Sequence, residues 1–214
     1  MALLVTDPGL ESRLLAERKL ANGDRFDEVW ERLYVMAPLA NDEHQDIQLS
    51  FGAALKDALG WGSGASVRAG VNVSDRDKDW INNYRCPDVV VFLPGNPAIN
   101  HGSHWQGGPD FMVEIVSEGD RSREKLPFYA SVGVREVLIV DRNPWAMELY
   151  AATGSVTEMQ LVAAATSDGK ASLHSGVLPI SFELLPGSPR PRIRATLTGK
   201  APADPSRLRN SWLI

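Results

Sequence analysis

Two uninterrupted apolar runs, Asp88 to Leu93 and Phe111 to Val116, constrain this chain more than any other feature. Hydrophobicity that is continuous rather than alternating belongs to strands covered on both faces, so both runs predict central strands of a sheet. Each nevertheless carries a carboxylate: Asp88 directly after Pro87, and Glu114 in the middle of the second run. Two acids held near a core are costly unless a metal ion or partner charges compensate them, and oxygen donors of this kind suit a hard divalent cation. Lys125 follows on a predicted helix and supplies the positive charge that phosphodiester chemistry needs. The purely structural alternative is an ion-pair set in which Arg85, Arg121 or Lys125 ties the strands to that helix.

The surrounding pattern is that of a layered α/β domain with a mixed sheet. Leu10, Leu14 and Leu15 give a short helical segment ending at the Asn22-Gly23 turn. Phe26 to Met36 reads as a pair of short strands. From Glu43 to Leu59, apolar positions recur at helical spacing (Ile47, Phe51, Ala54, Leu55, Ala58, Leu59), with Asn41 or Asp42 as N-cap and Gly60 beyond the end. Ser66 to Val73 alternates as one half-buried strand should, and a charged loop with Asp75, Arg76, Asp77, Lys78 and Asp79 follows. Pro127 must lie in the first turn of its helix, which places the start near Arg123 or Glu124 and the stop at Gly133. Glu136–Asp141 and Met147–Ala151 are further strands. This divides the chain into an N-terminal helical segment (1–23), a domain (24–185) and a basic, Pro-rich extension (186–214).

Composition narrows the function classes. No run approaches the roughly 18 apolar residues of a membrane span, and the first residues lack the basic region and length of a signal peptide, so a cytoplasmic protein without membrane contact is expected. A single cysteine, Cys86, excludes an internal disulfide and any multi-cysteine zinc site; beside Pro87 it reads as a buried strand end rather than a nucleophile. The net charge is −5, but residues 186–214 hold six basic residues against Asp204, which leaves the body at −10. An acidic body confines any polynucleotide contact to a local patch. The extension could be that patch, or simply an edge strand through Ile193, Ala195 and Leu197.

The ordered series Pro87-Asp88, Glu114-Ile115-Val116, Glu124-Lys125-Leu126-Pro127-Phe128-Tyr129-Ala130, Gly133-Val134-Arg135-Glu136 and Ile139-Val140-Asp141 resembles the Uma-type family of restriction-endonuclease-like proteins, within the PD-(D/E)xK nuclease superfamily. Glu28 to Pro38 is similar to that family's N-terminal hairpin, and Glu43-His44-Gln45 to the start of its first core helix; the likeness spans roughly residues 24–150. It implies a restriction-endonuclease-like core, a mixed β-sheet flanked by helices with an N-terminal hairpin and a C-terminal extension. It also implies magnesium or manganese, DNA as substrate, and a homodimer in which Trp212, Leu213 and Ile214 could take part. Two departures stand out. The superfamily's lysine, two places after the glutamate, is Val116 here, so Lys125 would replace it from the following helix. Glu118 stands where related sequences often carry proline.

The implied metal ligands are Asp88, Glu114 and the carbonyl of Ile115, with Lys125 countering charge on the phosphate. His44 and Glu43, in the first turn of the long helix, are candidates for the outer shell, although acids favour that position for dipole reasons alone. Glu28 is a third candidate, or else a solvated hairpin residue. His101 and His104 lie in a Gly-rich loop that itself supplies no third ligand, so the pair reads as an exposed loop rather than a zinc site. Two rivals to a nuclease are a catalytically silent scaffold or nucleic-acid-binding protein, and a hydrolase of small phosphate esters.

Overall fold

Residues 3–4, 7–37, 40–117, 119–155, 157–168, 171–199 and 209–214 are described by the structure, a computed structural model. Glu118, Lys200, Asp204 and Arg207 lie outside them. Along the chain come strand β1 (Leu3–Leu4), helix α1 (Pro8–Leu20), strands β2 (Glu28–Trp30) and β3 (Leu33–Met36), helix α2 (Asp42–Leu59), and strands β4 (Ser66–Ala69) and β5 (Val73–Ser74). A 3-10 turn at Trp80–Asn82 precedes β6 (Tyr84–Arg85), β7 (Val89–Phe92), β8 (Ile99–Asn100), β9 (Trp105–Gln106) and β10 (Phe111–Ile115). A second 3-10 turn (Ser122–Lys125) leads into α3 (Leu126–Ser131) and then β11 (Glu136–Arg142) and β12 (Trp145–Ala152). The chain closes with β13 (Met159–Thr166), β14 (Ser172–His174), β15 (Ile180–Leu185), β16 (Arg192–Leu197) and β17 (Ser211–Leu213).

The two apolar runs become β7 and β10, buried along their whole length as expected. They lie inside a six-stranded sheet of order β13-β12-β11-β10-β7-β4. That sheet is mixed, because β10 runs parallel to β11 and antiparallel to β7. One face, with Val89, Val91, Phe111, Val113 and Ile115, packs on Ile47, Phe51, Ala54 and Leu55 of α2. The other face, with Val90, Met112, Val137 and Ile139, packs on Tyr129 of α3 and on Val134. Side chains two apart in a strand share a face, so Glu114 projects on the side of Met112, toward α3.

Helix α2 follows its sequence signals closely. The Asn41 side chain accepts from the His44 amide at the start, and Gly60 with φ of 88° ends it. The hairpin β2–β3 is also as expected, closed by Glu31 and Arg32, both with positive φ, the requirement of the tight turn that matches strand twist.

Three expectations need correction. Ser66–Val73 is not one strand: Gly70, at φ of +58°, redirects the chain so that β4 joins the six-stranded sheet and β5 a seven-stranded one, β1-β3-β2-β6-β5-β9-β8. A Cβ at that position would sit 2.8 Å from the Phe26 ring, so the turn also depends on glycine for space. The helix expected from Arg123 to Gly133 is shorter and begins as a 3-10 turn, with Lys125 at the junction. Finally, the strand expected through Ile193, Ala195 and Leu197 is present as β16 but is not an edge: β17 pairs on its other side in a four-stranded sheet, β14-β15-β16-β17, which buries Ile193, Ala195 and Ile214. Trp212 donates its indole N–H to Asp57 of α2 at 2.8 Å and is half-buried, Ile214 is buried, and Leu213 is exposed. No described helix is long and apolar enough to cross a membrane.

Gly108 and Gly52 form a contrasting pair for measurement. A Cβ on Gly108 would lie 2.6 Å from the Val134 amide nitrogen, which is held in turn by Tyr129, whereas Gly52 in α2 has open space around it. Gly108→Ala should lower stability by about 1–3 kcal/mol, as overpacking against backbone does. Gly52→Ala should raise it by about 0.5–1 kcal/mol through helix propensity. Urea denaturation of both variants at unchanged slope is the check.

Candidate active site

The register Val113↔Val89 between β10 and β7 brings residue 114 beside residue 88. Asp88 stands just before β7, and its Oδ2 accepts the Ile115 amide hydrogen at 2.7 Å, a side-chain bond that takes over from the strand ladder where pairing stops. Its Oδ1 lies 3.2 Å from His44 Nε2, and its backbone carbonyl accepts from Gln48 Nε2 at 2.9 Å, so α2 fixes Asp88 from one side. His44 and Gln48 are four apart in α2, which puts both on the same helix face.

Glu114 is fixed from the other side. Lys125 Nζ donates to its two carboxylate oxygens at 3.2 and 3.1 Å, and the Tyr129 hydroxyl donates to Oε1. Lys125 also meets Glu28 Oε1 at 2.9 Å. Glu28 in turn accepts from the Cys86 amide at 2.9 Å and from Trp30 Nε1 at 2.7 Å, so its orientation is set by three donors. Asp88, Glu114, Lys125, Glu28, His44 and Ile115 line one cleft together with Gln48, Trp30 and Arg121.

Charge is unbalanced there. Four carboxylates (Glu28, Asp88, Glu114 and Asp120) face Lys125 and Arg121, leaving the ionised site two positive charges short. Burial pushes the Glu114 carboxyl up to about 8, with Asp88 and Glu28 adding to the rise and Lys125 opposing it. Burial works to lower the Lys125 ammonium, but Glu114 and Glu28 overcome it and raise the group above its ordinary value. The two directions compete, since an uncharged Glu114 gives Lys125 little to hold its proton. Lys125 keeps its charge because Glu28 is a second anion within 2.9 Å, and the carboxyl crowded by two others is the one that gives way. Burial, followed by Glu114, also raises the Tyr129 phenol, which stays a donor. The Cys86 thiol is raised by burial and by Glu28, so it is no nucleophile at neutral pH.

Of the expected site residues, Glu43 is the one the structure places elsewhere. Its carboxylate pairs with Arg142 at 3.1 Å and Arg190 at 3.8 Å, away from the cleft lining. Neither Arg85 nor Arg121 is the partner of Glu114: Arg85 lies 4.6 and 4.2 Å from the ring centroids of Trp30 and Phe128, and Arg121 pairs with Glu124. Tyr129 and Gln48 were not singled out from the sequence. Tyr129, four residues beyond Lys125, was visible only as an aromatic in a helix, and Gln48 only as a polar position between apolar ones.

A magnesium or manganese ion fits this arrangement by its donor set. Asp88, Glu114 and the Ile115 carbonyl offer hard oxygen donors along the cleft, and His44 Nδ1 is buried without a hydrogen-bond partner among the described residues. The mixed sheet with a helix on each face, carrying an acid–acid–lysine cluster at the ends of two adjacent strands, defines a restriction-endonuclease-like protein. Residues 13–186 match the model of the Uma2 family, described as "Putative restriction endonuclease", and the chain belongs to that family. A solved structure from Anabaena variabilis, described as a "putative nuclease belonging to DUF820", is similar at 15% identity and a TM-score of 0.54, over 71% of this chain and 83% of that one. At that identity it speaks for the fold alone. No curated protein matches.

The raised Glu114 carboxyl has a measurable consequence in metal-free protein. A group that holds its proton more tightly folded than unfolded lends stability below its unfolded value of 4.5 and loses it as pH climbs through about 8. Glu114→Gln mimics the protonated form and lacks this loss. Its melting temperature relative to wild type should therefore rise between pH 5 and pH 9, in chelator; a difference that stays flat over that range would count against a strained Glu114.

Proposed function

We propose that this protein is a divalent-metal-dependent nuclease that hydrolyses phosphodiester bonds in DNA. The observation that carries the reading is the buried cluster of Asp88, Glu114 and Glu28 around Lys125, two positive charges short when ionised and open to a cleft. Family membership supports the nuclease class.

Asp88, Glu114 and the Ile115 carbonyl would hold magnesium or manganese, which when bound supplies Lewis-acid polarisation of the phosphate and a more acidic water. The remaining work falls to side chains. His44 and the Ile115 amide orient the Asp88 carboxylate, and Tyr129 orients Glu114. Lys125, whose ammonium Glu114 and Glu28 favour in the metal-free site, acts as a fixed positive charge opposite the developing phosphorane-like oxygens. Glu28 positions that ammonium. Val116 occupies the position of the superfamily's usual lysine, so the positive charge comes from the turn before α3 instead.

Two series of variants test this. Manganese should raise the melting temperature of wild type and do so far less in Asp88→Asn and Glu114→Gln; equal shifts in all three would remove the metal from this cleft. Lys125→Met should lose about 10²–10³-fold in cleavage rate, the scale of one preorganised electrostatic donor, while manganese still raises its melting temperature. Adding Val116→Lys should restore part of the activity, because residues 114 and 116 share a strand face. Full activity in Lys125→Met alone, or none in wild type on any DNA, would return the silent scaffold to first place.

A further inference from the structure

We propose that Asp77, His101 and His104 form a second metal site, selective for zinc-class ions and separate from the carboxylate cleft. Asp77 lies in the charged loop after β5, and both histidines lie in the turn between β8 and β9. β5 and β9 are neighbours in their sheet, and the loop after β5 folds back over the β8–β9 turn, bringing Asp77 Oδ1 to 3.3 Å from His101 Nδ1 and the Trp80 ring onto His104. Their ligand atoms all lie within 4.8 Å of one another. The third ligand that the histidine loop lacks in sequence thus comes from the neighbouring loop.

The hydrogen bonds leave both imidazoles ready to coordinate. His101 Nε2 is 3.2 Å from Gln106 Oε1, and its Nδ1 is 3.3 Å from Asp77 Oδ1. A neutral ring has one proton, and if Gln106 takes it the Nδ1 lone pair faces a carboxylate oxygen. A cation between them turns that contact from repulsive to attractive. His104 is 3% exposed, its Nδ1 lies 3.1 Å from Ser103 Oγ, and its Nε2 is buried with no hydrogen-bond partner among the described residues. An orphaned buried nitrogen is costly, and a metal ion would satisfy it. The His104 ring is held between Trp80 and His101, at centroid distances of 4.7 and 4.8 Å.

Two imidazoles and one carboxylate are a borderline-soft donor set that suits zinc and leaves a coordination position open, in contrast to the all-oxygen donors of the cleft. Ligand atoms around a zinc ion at about 2.1 Å come within about 3.5 Å of each other, so binding requires the loops to close by about an ångström. Binding would pin the charged loop to the β8–β9 turn. That loop already reaches the β2–β3 hairpin through Arg76 and Glu31 at 3.1 Å.

The test is zinc competition against a chromophoric chelator at pH 7.5, with excess magnesium present to occupy the cleft. Wild type should retain one equivalent of zinc, with affinity unchanged in Asp88→Asn and Glu114→Gln and at least tenfold weaker in Asp77→Asn and His101→Ala. These two side chains are partly exposed, so both variants should fold; His104→Ala, at a buried position, is interpreted only if its melting curve stays cooperative. Zinc should also slow tryptic cleavage after Arg76 and Lys78 in wild type but not in His101→Ala. Unchanged affinity in both Asp77→Asn and His101→Ala overturns the site, as does a wild type that retains no zinc. Loss of zinc with Glu114→Gln would place the ion in the cleft instead.

Discussion

The burial of Glu114 near the end of a central strand is the constraint on which the local architecture turns. A carboxylate at that depth is tolerated only with partners at hydrogen-bonding distance, and removing one partner of a buried pair is far more damaging than its net contribution suggests. Here the partners come from different elements. The turn before α3 brings Lys125 and α3 brings Tyr129, while Glu28 arrives from the hairpin and supports Lys125 rather than Glu114. The convergence ties the hairpin, the sheet and α3 into one unit around a single charged side chain.

The two faces of the sheet do different work. Toward α2 and the four-stranded sheet lies a dry core running from Ile47 to Ile214, which supplies most of the apolar burial. Toward α3 the apolar cluster is smaller, and its edge gives way to the charged cleft. A rigid hydrophobic face behind a polar one lets a crowded set of carboxylates persist, because the loss at the site is offset by packing elsewhere. β10 belongs to both faces and transmits that support directly to Glu114.

Donor chemistry separates the metal preferences proposed for the cleft and for the histidine loops. The cleft offers hard oxygens from strands that cannot move, whereas Asp77, His101 and His104 sit on loops that can close around an ion. Rigid strands suit a catalytic position, where half an ångström matters; adjustable loops suit a clamp.

Much of this was readable in advance, for identifiable reasons. Continuous apolar runs mark buried strands and the 3.6-residue period marks α2, because those signals arise from burial and from local backbone geometry acting on neighbours in sequence. Asp88 and Glu114 stood out because charge in such runs is anomalous on its own, whereas Lys125 stood out through the helix that follows and the family resemblance. What could not be read was anything that depends on where distant segments meet. Gly70 splits one apparent strand between two sheets because Phe26 lies against it, and Glu43 leaves the cleft because Arg142 and Arg190 reach it first. Tyr129 acquires its role only through its approach to Glu114, and Asp77 becomes the companion of two histidines only because its loop folds back over the β8–β9 turn. The sequence by itself determined that the two apolar runs are central strands, which helix is amphipathic and which acids are out of place, since each is a property of local pattern. Tertiary structure alone decided which of those charges neutralise one another, because Coulomb and hydrogen-bond energies depend on distances across the fold that no spacing along the chain encodes.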